Sequence, residues 1–221
     1  MGLLPALVWA APSGDPEALA LFDAAEAKLL AAQDVRVEGR LASTGSFEAT
    51  LEVSLLTHVD RRAHFTIKGD LLGRPARVEL RSDGKTLRWA GRTLPVPADL
   101  HRGLVISFLR AGLLYEVITL ATGAPPEGSD GHLERWMEVD GLVLGPLEKV
   151  DGVATRKLEF DLILGKEKAG HVELWIDLAT GLPVKRSAVV DFQGTMAVVE
   201  RYRKVHLDAP SPKKTAKKAR E

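Results

Sequence analysis

The sequence predicts an α+β protein in which one large, curved antiparallel sheet carries helices on its face. Three observations lead there. The run Leu174-Trp175-Ile176-Asp177-Leu178-Ala179-Thr180-Gly181-Leu182-Pro183-Val184-Lys185-Arg186 is an alternating strand that enters an Asp-x-x-Thr-Gly turn, and a second strand leaves through Pro183. A related turn, Ser82-Asp83-Gly84-Lys85-Thr86-Leu87, stands earlier in the chain. Between a helical N-terminal stretch and these hairpins, the apolar period drops to two at Val35 and stays there over long segments.

The elements follow in order. Asp15-Pro16-Glu17 is a helix start: a capping carboxylate, a proline whose missing N–H costs nothing in the first turn, and an acid at the positive end of the dipole. Leu19, Phe22, Ala25 and Leu29 continue it at helical spacing to about Gln33. Phe47, Ala49, Leu51, Val53 and Leu55 then alternate with Glu48, Thr50, Glu52 and Ser54, which gives a strand with one buried and one wet face. Strands are expected at 64–68, 77–81 and 86–89, with turns at Gly69-Asp70, Gly73 and Asp83-Gly84. Residues 99–121 are apolar, capped by Asp99 and weakened as one helix by Gly103 and Gly112, so one or two short helices are expected. Arg110 and Glu116 inside that segment argue against a membrane span. After a loop at 123–131, strands run from His132 to His206, with turns at Asp140-Gly141, Asp151-Gly152, 166–170 and Thr180-Gly181.

Composition narrows the function classes. The chain has 221 residues, 45% of them hydrophobic, which suits a single domain over 15–208. Formal net charge is zero, but residues 209–221 hold five basic residues and one acid, which leaves 25 basic and 29 acidic residues in 1–208, a net of −4. Such a body is a poor nucleic-acid binder. The tail, with Lys213, Lys214, Lys217, Lys218 and Arg220, reads as a disordered end and at most a weak handle for an anionic surface. No cysteine is present, so disulfides, thiol catalysis and cysteine-ligated zinc are excluded. The apolar run Leu3–Ala11, followed by Pro12-Ser13-Gly14, resembles the core of a secretory signal that lacks its basic start, so residues 1–14 are expected to be a truncated signal or an apolar leader.

No catalytic constellation emerges. His58 and His64 flank a turn without a third metal ligand, and His132-Leu133-Glu134 lacks the second histidine of a zincin helix. Glu138/Asp140 and Asp151/Glu159 sit at strand edges or turns, where solvated charge is the default, and no nucleophile elbow or phosphate loop occurs. The four tryptophans read as strand-face packing. The sequence therefore points to no enzyme, metal or cofactor.

The order of helix, strand pair, basic strand end, Ser82–Leu87 turn, helical insert and Trp175–Pro183 strand-turn-strand resembles the LolA-like superfamily of periplasmic lipoprotein carriers over about residues 15–208. That resemblance implies an incomplete (half) β-barrel whose concave face is covered by helices and accepts acyl chains, in a soluble, monomeric protein of the periplasm or cell envelope. The implied partners are a lipoprotein's acyl chains or another amphiphile, with envelope proteins as donor and acceptor. On this chain the cavity candidates are Phe47, Leu51, Val53, Leu104, Phe108 and Leu114. The family's lid-latching arginine falls on Arg61 or Arg62, where the usual Arg-Pro pair is replaced by Arg61-Arg62. The same fold also serves RseB-like sensors of envelope stress, and an interaction domain with a filled core is a further reading.

Overall fold

The computed structural model describes residues 13–89, 91–115, 136–191 and 194–208. All of the expected signal segment 1–14 except Ser13 and Gly14, the basic tail and most of the region between the insert and the later strands lie outside the described residues. Helix α1 (Pro16–Ala31) is followed by β1 (Asp34–Gly45), β2 (Ala49–His58), β3 (Arg62–Leu71), β4 (Arg74–Asp83), β5 (Thr86–Trp89) and β6 (Arg92–Pro95). Helix α2 (Leu100–Arg110) separates these from β7 (Met137–Val150), β8 (Val153–Leu164), β9 (Glu167–Asp177), β10 (Pro183–Asp191) and β11 (Thr195–Asp208). Every strand pairing is antiparallel, and β11 joins the two halves by pairing with β1 and β10.

The incomplete barrel expected from the sequence is corrected here. The strand order is linear, β6-β5-β4-β3-β2-β1-β11-β10-β9-β8-β7, so the eleven strands form an open sheet with β6 and β7 at its edges. Closure requires edge strands that meet with matched length and stagger. At one edge β6 has four residues, all exposed, while at the other β7 has 14 and is broken by two register shifts. Both edges carry a proline, Pro95 and Pro146, which discourages further strand addition.

Two expected turns are also relocated. Gly69 and Asp70 lie inside β3, and the chain reverses at Leu72-Gly73 with both φ angles positive (54° and 72°). Asp140-Gly141 is a bulge within β7: pairing with β8 jumps from Asp140 to Val143, and Leu142 exchanges backbone bonds with Ser13 and Asp15 instead. The chain ahead of α1 is thereby tied to the sheet.

The two diagnostic turns are built as their residues suggest. In the first, the amides of Lys85 and Thr86 donate to Asp83 Oδ1 at 2.8 and 2.7 Å. In the second, Ala179 N donates to Asp177 Oδ1 at 2.9 Å and Thr180 Oγ1 to Asp177 Oδ2 at 2.6 Å. These bonds to the ionised form hold both carboxyls below the usual aspartate range.

Alternation sorts the sheet into two faces. Val35, Val37 and Leu41 of β1, Leu51, Val53 and Leu55 of β2, and Phe65 and Ile67 of β3 point to the covered side, with Leu158, Phe160 and Leu162 of β8 and Val172 and Leu174 of β9. Helix α1 contributes Ala18, Phe22, Ala25 and Leu29 to this cluster, and Phe22 meets Phe160 edge to face at 5.5 Å. Each such side chain is worth about 1.5–3 kcal/mol of burial.

Candidate functional site

The site sits between the covered face of the sheet and α2. Leu51 and Val53 rise from β2, Leu104 and Phe108 descend from α2, and Leu114 follows it; all five are buried in one apolar cluster. Phe47, ahead of β2, is half-buried at its margin. The layer is closely packed in this conformation: Leu51, Phe108 and Leu114 are at most 2% exposed.

Helix α2 is held differently from α1. Eight of its eleven residues are buried, including His101 and Ser107. Its expected cap is absent as a side-chain bond: Asp99 occupies the N-cap position, but only its carbonyl is engaged, by Gly103 N at 2.8 Å. Near that end, His101 Nδ1 lies 3.2 Å from Thr57 Oγ1 of β2. Burial and the nearby His58 keep the imidazole's pKa below its ordinary value, so it is neutral at physiological pH.

Beyond the other end, where the chain becomes helical again at 113–115, a charged group rising from the sheet fixes it. Helix α2 stops at Arg110, and Gly112 adopts φ 85°, as the glycine there foreshadows. The amides of Leu113 and Leu114 donate to the two carboxylate oxygens of Glu200 at 3.0 and 2.9 Å. The Tyr202 hydroxyl donates to the same carboxylate. Burial, with the Glu200 charge added, pushes the Tyr202 pKa well up, so the phenol remains a donor. Directly across from Glu200 in the strand register is Arg186 of β10. Both residues are 1% exposed, and a Cβ on Gly112 would come within 2.8 Å of Arg186 Nη1 and of both Glu200 oxygens. Arg186 Nη2 reaches the Arg110 carbonyl at 3.4 Å, while its buried Nε has no hydrogen-bond partner among the described residues. A further link joins the helices: Arg110 Nε and Nη2 donate to Glu26 of α1 at 2.7 and 2.9 Å, and Arg110 Nη1 donates to the Met137 carbonyl of β7.

A cleft of about 530 Å³ opens where pairing between β10 and β11 ends at Lys185–Arg201 and β11 continues beside β1 alone. Val150, Leu182, Pro183, Tyr202, Lys204 and His206 are among its walls. Tyr202 belongs both to this cleft and to the site, because its ring meets Phe108 of α2 edge to face at 5.0 Å.

Sequence reasoning brought five apolar candidates to one place but did not find the Arg186–Glu200–Tyr202 group. Its only trace in the sequence is polar residues at inward positions: Arg186 in the alternation of β10 and Glu200 in that of β11. Arg61 and Arg62 lie in the β2–β3 turn. Arg62 is exposed and pairs with Asp60 at 2.7 Å, and the Arg61 carbonyl accepts from Ser82 Oγ at 2.6 Å, which joins that turn to the one after β4.

No protein-family model matches the chain, and neither does any curated protein. Among solved structures, it is similar to LprF from Mycobacterium bovis, with 17% sequence identity over 92% of this chain and 99% of that one and a TM-score of 0.51. Also similar are the Mycobacterium tuberculosis lipoprotein LppX (17% identity, 88% and 100% coverage, TM-score 0.46) and the LolA superfamily protein NE2245 from Nitrosomonas europaea (11%, 88% and 94%, TM-score 0.33). The likeness to LprF, over nearly the whole of both chains, is one of fold.

Proposed function

We propose that this protein is a non-catalytic carrier of amphiphiles in the cell envelope, and that its cargo is the acyl portion of a lipoprotein or a comparable lipid. The observation that carries this reading is the continuous apolar layer between sheet and helices, one side of which, α2, is attached just beyond its end by polar bonds to Glu200. Hydrocarbon transferred from water into such a layer gains about 0.8 kcal/mol per CH₂, enough for several kcal/mol from part of one chain.

In the closed state, Leu51, Val53, Leu104, Phe108 and Leu114 fill one another's contacts. Release of Leu113 and Leu114 from Glu200 lets α2 tilt, and the apolar faces then enclose the acyl chains in place of each other. The cleft beside Tyr202 is the entry, since Tyr202 already touches Phe108. Polar groups at the mouth (Lys204, His206 and the Arg186–Glu200 pair behind Tyr202) remain near the head of the cargo. Arg61 and Arg62 are not assigned to this step.

The test is uptake of a fluorescent fatty-acyl probe by the purified chain, combined with native mass spectrometry of protein isolated gently from an envelope fraction. Saturable uptake that Phe108→Ala and Leu114→Ala alter, or a co-purifying acylated species, supports the carrier. A clean apo mass together with no probe uptake at any concentration refutes it.

A further inference from the structure

The uncovered face of the sheet carries its charges in rows. The strand register places Arg88, Arg81, His64, Leu56, Arg36 and His206 side by side across β5, β4, β3, β2, β1 and β11. Four residues along β4, β3, β2 and β1, and five along β11 because its register with β1 shifts at Glu38-Gly39, comes another row, which extends to β8: Arg77, Lys68, Glu52, Arg40, Arg201, Lys185, Trp175 and Lys157. Between them runs a mixed row of Glu79, Thr66, Ser54, Glu38 and Lys204. With strands about 4.8 Å apart, the longer row spans about 34 Å.

Like charges stand directly opposite one another in these rows: Arg81 and Arg88, Lys68 and Arg77, Arg40 and Arg201, Arg201 and Lys185. Such pairs destabilise a sheet. Some are offset by acids: Glu52 takes both Arg40 and Arg203, Asp151 takes Arg201, and Glu159 and Glu173 take Lys157. Arg77 and Arg81 stand near Glu79 and Arg88 near Asp83, and their charges help to hold those carboxyls low; Arg36 and Lys68 make no ion pair among the described residues. The next rows along the same face hold the exposed Val199 and Val189 together with the acids Asp70, Glu173, Glu159 and Asp161. This arrangement occurs although residues 1–208 carry a net charge of −4.

We propose that this face, which carries no helix among the described residues, docks on an anionic phospholipid surface. A broad platform with charges repeated at strand spacing suits many laterally mobile phosphates, whereas a single ligand would meet only a few of its cations. The exposed valines beside the basic rows suit the boundary between headgroups and acyl chains. The sheet would lie on the bilayer, with α1 and α2 on the side away from it. The inference uses neither the apolar layer nor α2, although Arg201, Lys204 and His206 of its rows also wall the cleft beside Tyr202.

The test is co-sedimentation of the full chain with vesicles of phosphatidylcholine alone or mixed with phosphatidylglycerol, over a salt series. The expected result is binding only to the anionic vesicles, weakening steeply as salt rises. The triple variant R36E/R81E/R88E should lower the partition at least about tenfold, as charge reversal at three sites would. Replacing Lys213, Lys214, Lys217 and Lys218 with Gln, in the full chain, should leave most of it. If the triple variant unfolds, R81Q/R88Q replaces it: relief of like-charge contact should leave thermal stability equal or higher while vesicle binding falls. Acyl-probe uptake should be unchanged in the face variants, which separates this inference from the carrier reading. Equal binding to neutral vesicles, loss through the tail substitutions alone, or unchanged binding in the face variants would overturn the assignment. So would competition by polyglutamate at lower charge concentration than the lipid, which would give the face to an acidic protein.

Discussion

Helices α1 and α2 cover the same face of one sheet but are secured by opposite means. Helix α1 contains what it needs: Asp15 accepts from Glu17 N at 2.8 Å, Pro16 opens the first turn, and an apolar stripe at regular spacing meets the sheet. Its last turn adds only Lys28, which donates to the Thr180 carbonyl. Helix α2 has no side-chain cap and buries residues on several sides, and the helical stretch that resumes after it at 113–115 is held by Glu200, which lies 90 residues beyond Arg110 in the chain. A helix stabilised by its own sequence is a fixed cover. One stabilised by a few distant polar bonds is the part that a ligand can displace, because those bonds can be exchanged without unfolding the sheet.

The strongest way to break this contrast is Glu200→Ala. It strips two amides and the Tyr202 hydroxyl of their acceptor and leaves Arg186 buried opposite a neutral residue, so a loss of about 3–5 kcal/mol is expected in urea unfolding. An E200L/R186M double variant should recover much of that, since an apolar pair of similar size removes the buried charge altogether. If E200A unfolds like the parent, α2 is not held from the sheet as argued.

Gly112→Ala comes next. It forces a Cβ into a left-handed backbone and within 2.8 Å of both charged partners, and should cost about 1–3 kcal/mol while leaving the far-ultraviolet signature of the sheet intact. The same substitution at Gly73, where a Cβ meets nothing within 4 Å, strains only the turn and should cost less. Differential hydrogen exchange at Leu113 and Leu114 would localise the Gly112 effect to the end of α2.

The start of α2 should respond to pH. His101 has a folded-state pKa below the ordinary 6.5, so the unfolded chain takes up a proton that the native state resists. Its contribution is therefore fully present above about pH 6.5 and is lost as pH falls from there towards the depressed native value, with a slope of at most about 1.4 kcal/mol per pH unit. His101→Gln should flatten the melting-temperature profile between pH 5 and 6.5. Carboxylates such as Asp83 and Asp177, held low, add their losses only in more acidic solution. A wild-type profile that is already flat in that interval would remove His101 from the account.

The smallest effects compare the two caps. Asp15→Ala should cost about 1 kcal/mol. Asp99→Ala should stay within about 0.5 kcal/mol, because no side-chain bond is lost. Comparable losses at both positions would mean that α2, like α1, depends on its own N-terminus.

Local signals were legible wherever one residue determines one piece of backbone. The Asp15-Pro16 start, the alternation of β2, the break at Gly112 and the two Asp turns appear in the structure because each is decided by bonds within a few residues. The exceptions follow the same logic. Asp140-Gly141 has turn chemistry, yet the strand continues through it because Leu142 finds backbone partners in Ser13 and Asp15, far away in sequence. The incomplete barrel failed for a related reason: whether edge strands meet depends on the length and stagger of the whole sheet, and β6 is too short and exposed to show this from its own residues.

By itself, then, the sequence determined the α+β character with one large antiparallel sheet, the start of α1 and the two Asp turns, since period and capping act over a few residues. Only the tertiary structure decided that the sheet stays open, that Glu200 and Arg186 meet just beyond the end of α2, and that the basic residues of seven strands fall into rows. Those features depend on register between segments up to 150 residues apart or more, such as Asp34 with Asp208, and no local pattern encodes which residue will stand opposite which.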